Sequence, residues 1–169
     1  MRTLVGVAAL MVLVARAGAA QSFTFAFSDS SRPGTLKSDL MTGMLDIQGY
    51  DGKEVKIEAA DSSKSIPTDA INARESDNVL TLHGGLAKSA RLRIRVPHKT
   101  DLSLKCVNCS EVTVSGVSAS IDIDVVNGNI RLTNAGGSVV AHSLNGKVTA
   151  NLDGLGTNPS SFSSKNGTV

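Results

Sequence analysis

Apolar and polar residues alternate along most of this chain, and beyond residue 101 the alternation itself repeats. The apolar positions recur at one constant interval in three sets, which are Val112, Ile130 and Val148; Val114, Leu132 and Ala150; and Ile121 and Val139. Alternation with a period of two predicts β-strands. A constant interval of this size predicts a chain that coils and stacks on itself. The pattern therefore predicts an all-β fold, a single-stranded β-solenoid with turns of about 18 residues.

Asn-Gly dipeptides mark the corners of the predicted turns, because both residues tolerate positive φ. Neighbouring turns would lie about 4.8 Å apart. We therefore expect the corner residues to stack in one column, with the asparagine amides hydrogen-bonded as a ladder. The predicted column contains Asn108, Asn127, Gly128, Asn145, Gly146, Asn166 and Gly167.

Residues 21–101 alternate without a clean repeat and predict a less regular β region that continues or caps the solenoid of residues 102–169. Phe23, Phe25 and Phe27 share one face of a strand in this region. Residues 69–76 are the one stretch after residue 20 that resembles a helix. The sequence stops soon after Asn166, where another turn would begin, and leaves an open sheet edge. We therefore expect the repeats to be truncated at the C-terminus.

Residues 1–20 have the features of a secretory signal peptide. Arg2 precedes an apolar run from residue 4 to residue 14, and small residues at 17–20 offer a cleavage site before Gln21. Arg2 and Arg16 are two of the 17 basic residues, and no acidic residue precedes Gln21, so 15 basic and 15 acidic residues follow. An exported, net-neutral chain is expected, periplasmic, outer-surface or extracellular. It would have no membrane span after cleavage and no general attraction to nucleic acid.

Cys106 and Cys109 form a Cys-x-x-Cys motif, which allows three interpretations. Export favours a short structural disulfide. Free thiols are the second interpretation, and a redox pair or half of a metal site is the third. The chain has no second such motif, and its three histidines are scattered.

Two charged sets could carry binding chemistry. Arg91, Arg93 and Arg95 share one face of a strand and form either an ordinary outward face or a stripe that meets an anionic surface. Asp122 and Asp124 also share a face, where paired carboxylates could bind Ca²⁺ or act as acid and base. An outward, solvated strand face explains the aspartates more simply. We expect no catalytic, cofactor-binding or metal-binding residues, and no cofactor.

The stretch from Arg91 to Val169 resembles the bacterial putative-adhesin domain family. The matching features are the strand that ends in Val96-Pro97, the segment 101–104, and the Asn-Gly turns at 127, 145 and 166; residues 43–51 resemble the family's opening strand and turn. Cys109 departs from the family pattern, which has glycine there, and an extra residue precedes Val112. The resemblance implies an exported β-solenoid, long catalogued as a domain of unknown function, and it brings no catalytic residues.

These features predict a non-enzymatic interaction module that presents a rigid face to an unknown envelope or surface partner. A structural solenoid that associates with itself into oligomers or filaments is the first alternative. A β-helix enzyme that acts on polysaccharides is the second. Such enzymes commonly stack sugars on aromatic rings, and this chain has one tyrosine and no tryptophan.

Overall fold

The regular structure of the chain consists of β-strands. The computed structural model describes residues 20–61, 70–87, 89–155 and 159–169, and within them it contains eleven strands and no helix. The predicted all-β class is confirmed. The strands are β1 (Ala20–Ala26), β2 (Thr35–Tyr50), β3 (Glu54–Asp61), β4 (Ile71–Ser76), β5 (Val79–Gly84), β6 (Ala90–Pro97), β7 (Asp101–Ser115), β8 (Ile121–Gly137), β9 (Val139–Asn145), β10 (Val148–Leu155) and β11 (Ser161–Ser164).

All eleven strands join in one open sheet with a parallel centre. Its longest path runs β1-β3-β6-β2-β7-β8-β9-β11, with β10 beside β8 and the β4–β5 pair beside β2. The long strands have two sets of neighbours. Residues 35–40 of β2 pair with β5 and residues 44–50 with β6, while residues 121–127 of β8 pair with β9 and residues 130–137 with β10. Each of these two strands therefore has two halves with separate partners on one side, while β7 pairs with both halves on the other side.

Several of the parallel pairs have the offset of 18 residues that the sequence predicts. Ile130 is the partner of Val112 on one side and of Val148 on the other. Ile121 is likewise the partner of Val139. Ala150 aligns with Leu132 as expected but is exposed, because β10 is paired on one side only among the described residues.

Inward side chains of both strand halves form a single hydrophobic cluster. Two rows of this cluster cross the sheet from strand to strand, which lets thin aliphatic side chains pack without large aromatic residues. One row contains Ala59, Leu92, Leu45, Val112, Ile130 and Val148, and the other contains Ile57, Ile94, Ile47, Val114 and Leu132. Phe23 and Phe25 are buried on β1, and Phe27 packs against the same cluster from a half-buried position.

The helix suggested for residues 69–76 is wrong. Ile71–Ser76 forms β4, which pairs antiparallel with β5. Asp77 and Asn78 make the connection with φ values of 53° and 67°. Two adjacent positive φ values characterise the turn that joins two-residue hairpins, and aspartate and asparagine are among the residues that adopt it. Pairing with β5 therefore overrides the local resemblance to a helix.

The predicted signal peptide falls almost wholly outside the described residues, which begin at Ala20, the first residue of β1. The proposed division into residues 21–101 and 102–169 stays a prediction. β2, which belongs to the first of these ranges, lies directly beside β7, which belongs to the second.

Candidate interaction surface

Outward side chains in the N-terminal halves of β2, β7 and β8, and in β9, form regular rows, which we call the polar face. Its rows run across β2, β7, β8 and β9, whose backbones lie about 4.8 Å apart. The rows are Lys37, Ser103, Asp122 and Val140; and Asp39, Lys105, Asp124 and His142. All eight side chains are exposed or half-buried. The second row alternates in charge over its first three members, so neighbouring groups attract rather than repel each other.

The two predicted carboxylates, Asp122 and Asp124, belong to this face. Both are exposed, and their neighbours on the adjacent strands are Ser103 and Lys105 on one side and Val140 and His142 on the other. Their environment is that of a solvated surface. Within the described residues, no three His, Cys, Asp or Glu side chains come together as metal ligands would.

The arginine stripe lies on the outward side of β6, but its members have different surroundings. Arg93 Nε lies 3.5 Å from Asp46 Oδ2, and Glu58 is its register partner on β3. Arg95 faces Lys56 across the same strand pair. Arg91 Nη2 contacts the Met44 sulfur at 3.8 Å. The central guanidinium is therefore balanced by a carboxylate, and the stripe is not a uniform row of free cations.

The asparagine column forms a continuous ladder of side-chain hydrogen bonds. Asn127 Nδ2 donates to Asn108 Oδ1 at 2.7 Å, Asn145 Nδ2 to Asn127 Oδ1 at 2.7 Å, and Asn166 Nδ2 to Asn145 Oδ1 at 2.8 Å. Beside the ladder, Ser143 Oγ donates to the Gly128 carbonyl oxygen, and Ser164 Oγ to that of Gly146. Each asparagine position is thus joined to the same position on the next strand by side-chain hydrogen bonds as well as by backbone pairing.

Replacing Asn127 with alanine is expected to lower the free energy of unfolding by about 1–2 kcal/mol, because Asn127 makes two ladder bonds of roughly 0.5–1.5 kcal/mol each. Asn108→Ala removes one of these bonds and is the matched control, with about half the loss. Urea unfolding followed by circular dichroism measures both variants. Equal losses would contradict a role for the continuous ladder.

Cys106 and Cys109 form a disulfide bridge with their Cα atoms 5.9 Å apart. Both residues are almost fully buried. Cys109 lies in an irregularity of the register, because β7 has two residues between Asn108 and Glu111 where β8 has only Gly128 between Asn127 and Asn129. The extra residue noted in the sequence is thus a β-bulge, and the disulfide joins the first residue of this bulge to Cys106.

Reduction of this disulfide is expected to destabilise the fold by about 2 kcal/mol, the value that chain entropy gives for so short a loop. Urea unfolding with and without a reducing agent measures the difference. A Cys106→Ala/Cys109→Ala variant should not respond to the reductant. If the reducing agent does not lower the urea midpoint of wild-type unfolding, the expectation is contradicted.

The loop between β1 and β2 is held by a residue that no motif singles out. Asn78 is buried, and its Nδ2 donates to the carbonyl oxygens of Arg32 and Pro33 at 3.3 and 3.2 Å. Its Oδ1 accepts from the backbone nitrogen of Asp29 at 2.7 Å. The Asp77-Asn78 dipeptide predicts a turn in front of an alternating strand, but it does not predict the contacts with the loop between β1 and β2.

Asp29 is the centre of a small network in the same loop. Its carboxylate accepts from Ser31 Oγ at 2.5 Å and from the Ser31 backbone nitrogen at 2.9 Å, and Arg32 Nε lies 3.1 Å away. The Ser31 hydrogen bonds, assisted by Arg32, hold the pKa of Asp29 below its ordinary value of 3.8.

Ser31→Ala is expected to raise the pKa of Asp29 towards 3.8, because it removes the hydroxyl that favours the charged form. A carboxyl with a lowered folded pKa contributes stability above its unfolded pKa and loses it as the pH falls through the folded pKa. Carboxyl-carbon NMR titration measures the shift. Ser30→Ala, which removes the neighbouring hydroxyl, should leave the titration unchanged, and an equal shift there would contradict the assignment.

Comparisons with known proteins give a weak likeness only. No protein-family model and no curated protein sequence matches the chain. A putative cell adhesion protein from Clostridium sporogenes is 12% identical with a TM-score of 0.40, covering 88% of this chain and 97% of that one. A putative adhesin from Parabacteroides merdae is 9% identical with a TM-score of 0.31, covering 90% of this chain and 97% of that one.

A putative adhesin from Parabacteroides distasonis is 11% identical with a TM-score of 0.30, and covers 90% of this chain and 98% of that one. Likeness at this level determines neither the fold nor the function of the chain. Among the residues that the structure covers, no helix has the length and apolar character needed to cross a membrane.

Proposed function

We propose that this chain is an exported, non-enzymatic interaction module that presents the polar face to an envelope or surface partner. The observation that supports this most directly is the in-register parallel stacking of exposed side chains across β2, β7, β8 and β9. Parallel stacking repeats the same direction and spacing on each strand, so a partner with a regular surface meets regularly placed groups.

The proposal includes a solenoid path for the chain. The first half of β8 pairs with β9 and its second half with β10, and both pairings have the same offset along the sequence. The inward residues of both halves belong to one cluster. A chain that completes one turn in about 18 residues and packs its two walls against each other would give this combination. Each turn would then contact only the turns before and after it.

A rigid face favours binding because little conformational entropy is lost when it meets a partner. The Asn108–Asn166 ladder and the disulfide both fix corners of the strands that present the polar face. The sequence adds the expected export signal and a supply of aromatic side chains that is small for a sugar-processing enzyme.

The proposal is tested with the fluorescently labelled mature chain and envelope vesicles prepared from the source cells. Val140→Arg places a large cation on the β9 side of the polar face, at a side chain that is 43% exposed. We expect it to weaken binding at least about ten-fold, since a misplaced interface charge costs over about 1.4 kcal/mol.

Asn151→Arg is the matched control, because it adds the same side chain to an exposed position on β10, away from the polar face. This variant should bind as the wild type does. The proposal fails if the wild-type chain does not bind the vesicles, or if both variants bind equally.

Self-association is the second candidate, and the sheet edges favour it. In the described part of the chain, β10 pairs only with β8 and β11 only with β9. An unpaired strand edge can accept a strand of another chain. Sedimentation across a wide concentration range tests this candidate, and a monomer at every concentration would eliminate it.

A further inference from the structure

A cleft of about 350 Å³ lies where three strand connections meet, and none of its lining residues belongs to the polar face. We call it the lysine cleft. Residues 27–34 follow β1, residues 52–53 follow β2, and residues 97–100 follow β6. Its volume is within the range of roughly 300–1,000 Å³ that small-molecule sites occupy. The three segments are distant in sequence, so only the folded chain brings them together.

The charged residues that line the cleft are mostly cationic. The lining includes Arg32, Lys53 and Lys99 but a single acidic residue, Asp29. Asp29 is engaged by Arg32 and Ser31. Among the described residues, neither Lys53 nor Lys99 takes part in an ion pair. The cleft therefore offers two uncompensated ammonium groups to a ligand, whereas in the arginine stripe the central cation is paired.

The cleft also has apolar and hydroxyl-bearing walls. Phe27, Pro33 and Pro97 supply apolar surface, and Ser30 and Ser31 supply hydroxyl groups. Thr100 lines the cleft and is 1% exposed, and its Oγ1 has no hydrogen-bond partner among the described residues. A buried hydroxyl without a partner costs about 1–3 kcal/mol. This hydroxyl is closed off from the cleft, so the hydroxyl groups within reach of a ligand are those of Ser30 and Ser31.

The walls are preformed. Asn78 bonds to the backbone at Asp29, Arg32 and Pro33, as described above. The backbone nitrogen of Asp101 donates to the Gly34 carbonyl oxygen at 2.9 Å, and that of Thr100 donates to the Pro97 carbonyl oxygen at 3.0 Å. These bonds fix the first and third connections relative to each other, so a ligand would not have to order them.

We propose that the lysine cleft binds a saccharide that carries a carboxylate or a phosphate. The two lysines match the anionic group. The ring of Phe27 and the two prolines match the apolar face of a sugar ring, and the hydroxyls of Ser30 and Ser31 match its polar rim. The cleft lies outside the polar face, so this inference stands or falls independently of the proposed function.

The test is an NMR titration of the ¹⁵N-labelled mature chain with sodium D-glucuronate, D-glucose 6-phosphate, D-glucose and inorganic phosphate. Both charged sugars should shift the amide signals of residues 29–32, 34, 52–53 and 99–100. They should bind at least about ten-fold more tightly than D-glucose, which lacks the anion, and than phosphate, which lacks the ring. The tighter of the two identifies the anion as carboxylate or phosphate.

A Lys53→Gln/Lys99→Gln variant should bind both charged sugars at least about ten-fold more weakly. Lys105→Gln/Lys147→Gln is the matched control, because it removes the same charge from two exposed lysines outside the cleft. Circular dichroism and the melting temperature establish that both variants are folded.

Three results would overturn the proposal. D-glucose could bind as tightly as the charged sugars, the amide shifts could lie outside the cleft, or the two lysine variants could bind equally. Inorganic phosphate that binds as tightly as D-glucose 6-phosphate would overturn the saccharide part of the assignment. Vesicle binding through the polar face is measured separately, so neither result depends on the other.

Discussion

Replacing Gly128 with alanine is expected to lower the free energy of unfolding by about 3 kcal/mol or more. A Cβ at this position would overlap the Cys109 carbonyl oxygen on β7. A backbone atom cannot move aside as the end of a flexible side chain can, so β7 and β8 would have to separate, and overpacking of this kind costs about 1–3 kcal/mol. Gly128 also has φ of 151°, where an L-residue is strained by a further 1–3 kcal/mol or so.

Gly154→Ala is the control that separates these two causes. Gly154 has φ of 85°, but a Cβ there would meet no atom within 4 Å. The variant should therefore lose only the conformational contribution, about 1–2 kcal/mol. Urea unfolding measures both variants. The slope of the free energy of unfolding against urea concentration should be the same as in the wild type. If Gly128→Ala is no less stable than Gly154→Ala, the close approach of β7 to β8 does not exclude a side chain at position 128.

Replacing Ile47 with alanine is expected to destabilise the fold by about 3 kcal/mol, within the usual range of roughly 2–5 kcal/mol for a buried isoleucine. Ile47 is fully buried in the middle of a core row, with Ile94 and Val114 as its partners on β6 and β7. Its neighbours are held by parallel ladders on both sides, so they cannot collapse into the space that the side chain leaves.

Gln48→Ala is the matched control for Ile47, since the adjacent residue points to the outward side of the same strand and is half-buried. It should change the free energy of unfolding by less than about 0.5 kcal/mol, as outward substitutions usually do. Equal losses at the two positions would show that the inward and outward assignment of β2 is wrong.

The sequence predicts the features that depend on periodicity. The constant interval between apolar positions predicts that Val112, Ile130 and Val148 are register partners. Side chains that stack in one buried column must all be apolar. The alternation of residues 91–96 likewise predicts β6 with its buried Leu92 and Ile94. Both patterns can be read from the sequence alone, without knowledge of which distant residues meet in the folded chain.

Features that depend on distant partners could not be predicted. Asp46 pairs with Arg93 over a sequence separation of 47 residues. The full length of β2 could not be predicted either, because Ser38 is buried at an inward position where the alternating pattern requires an apolar residue. The lysine cleft has no motif at all, since its cations come from three connections that only the sheet topology brings together.

The bulge in β7 shows where this chain can change in length. A residue inserted within a strand would exchange the inward and outward sides of everything up to the next corner. The extra residue between Asn108 and Glu111 avoids this exchange, because it is absorbed at the corner and the register of Val112 is restored. On the proposed solenoid path, insertions and deletions should therefore survive selection in two forms, as single residues at corners or as whole turns of the chain. Homologous genes would then differ in size by discrete steps.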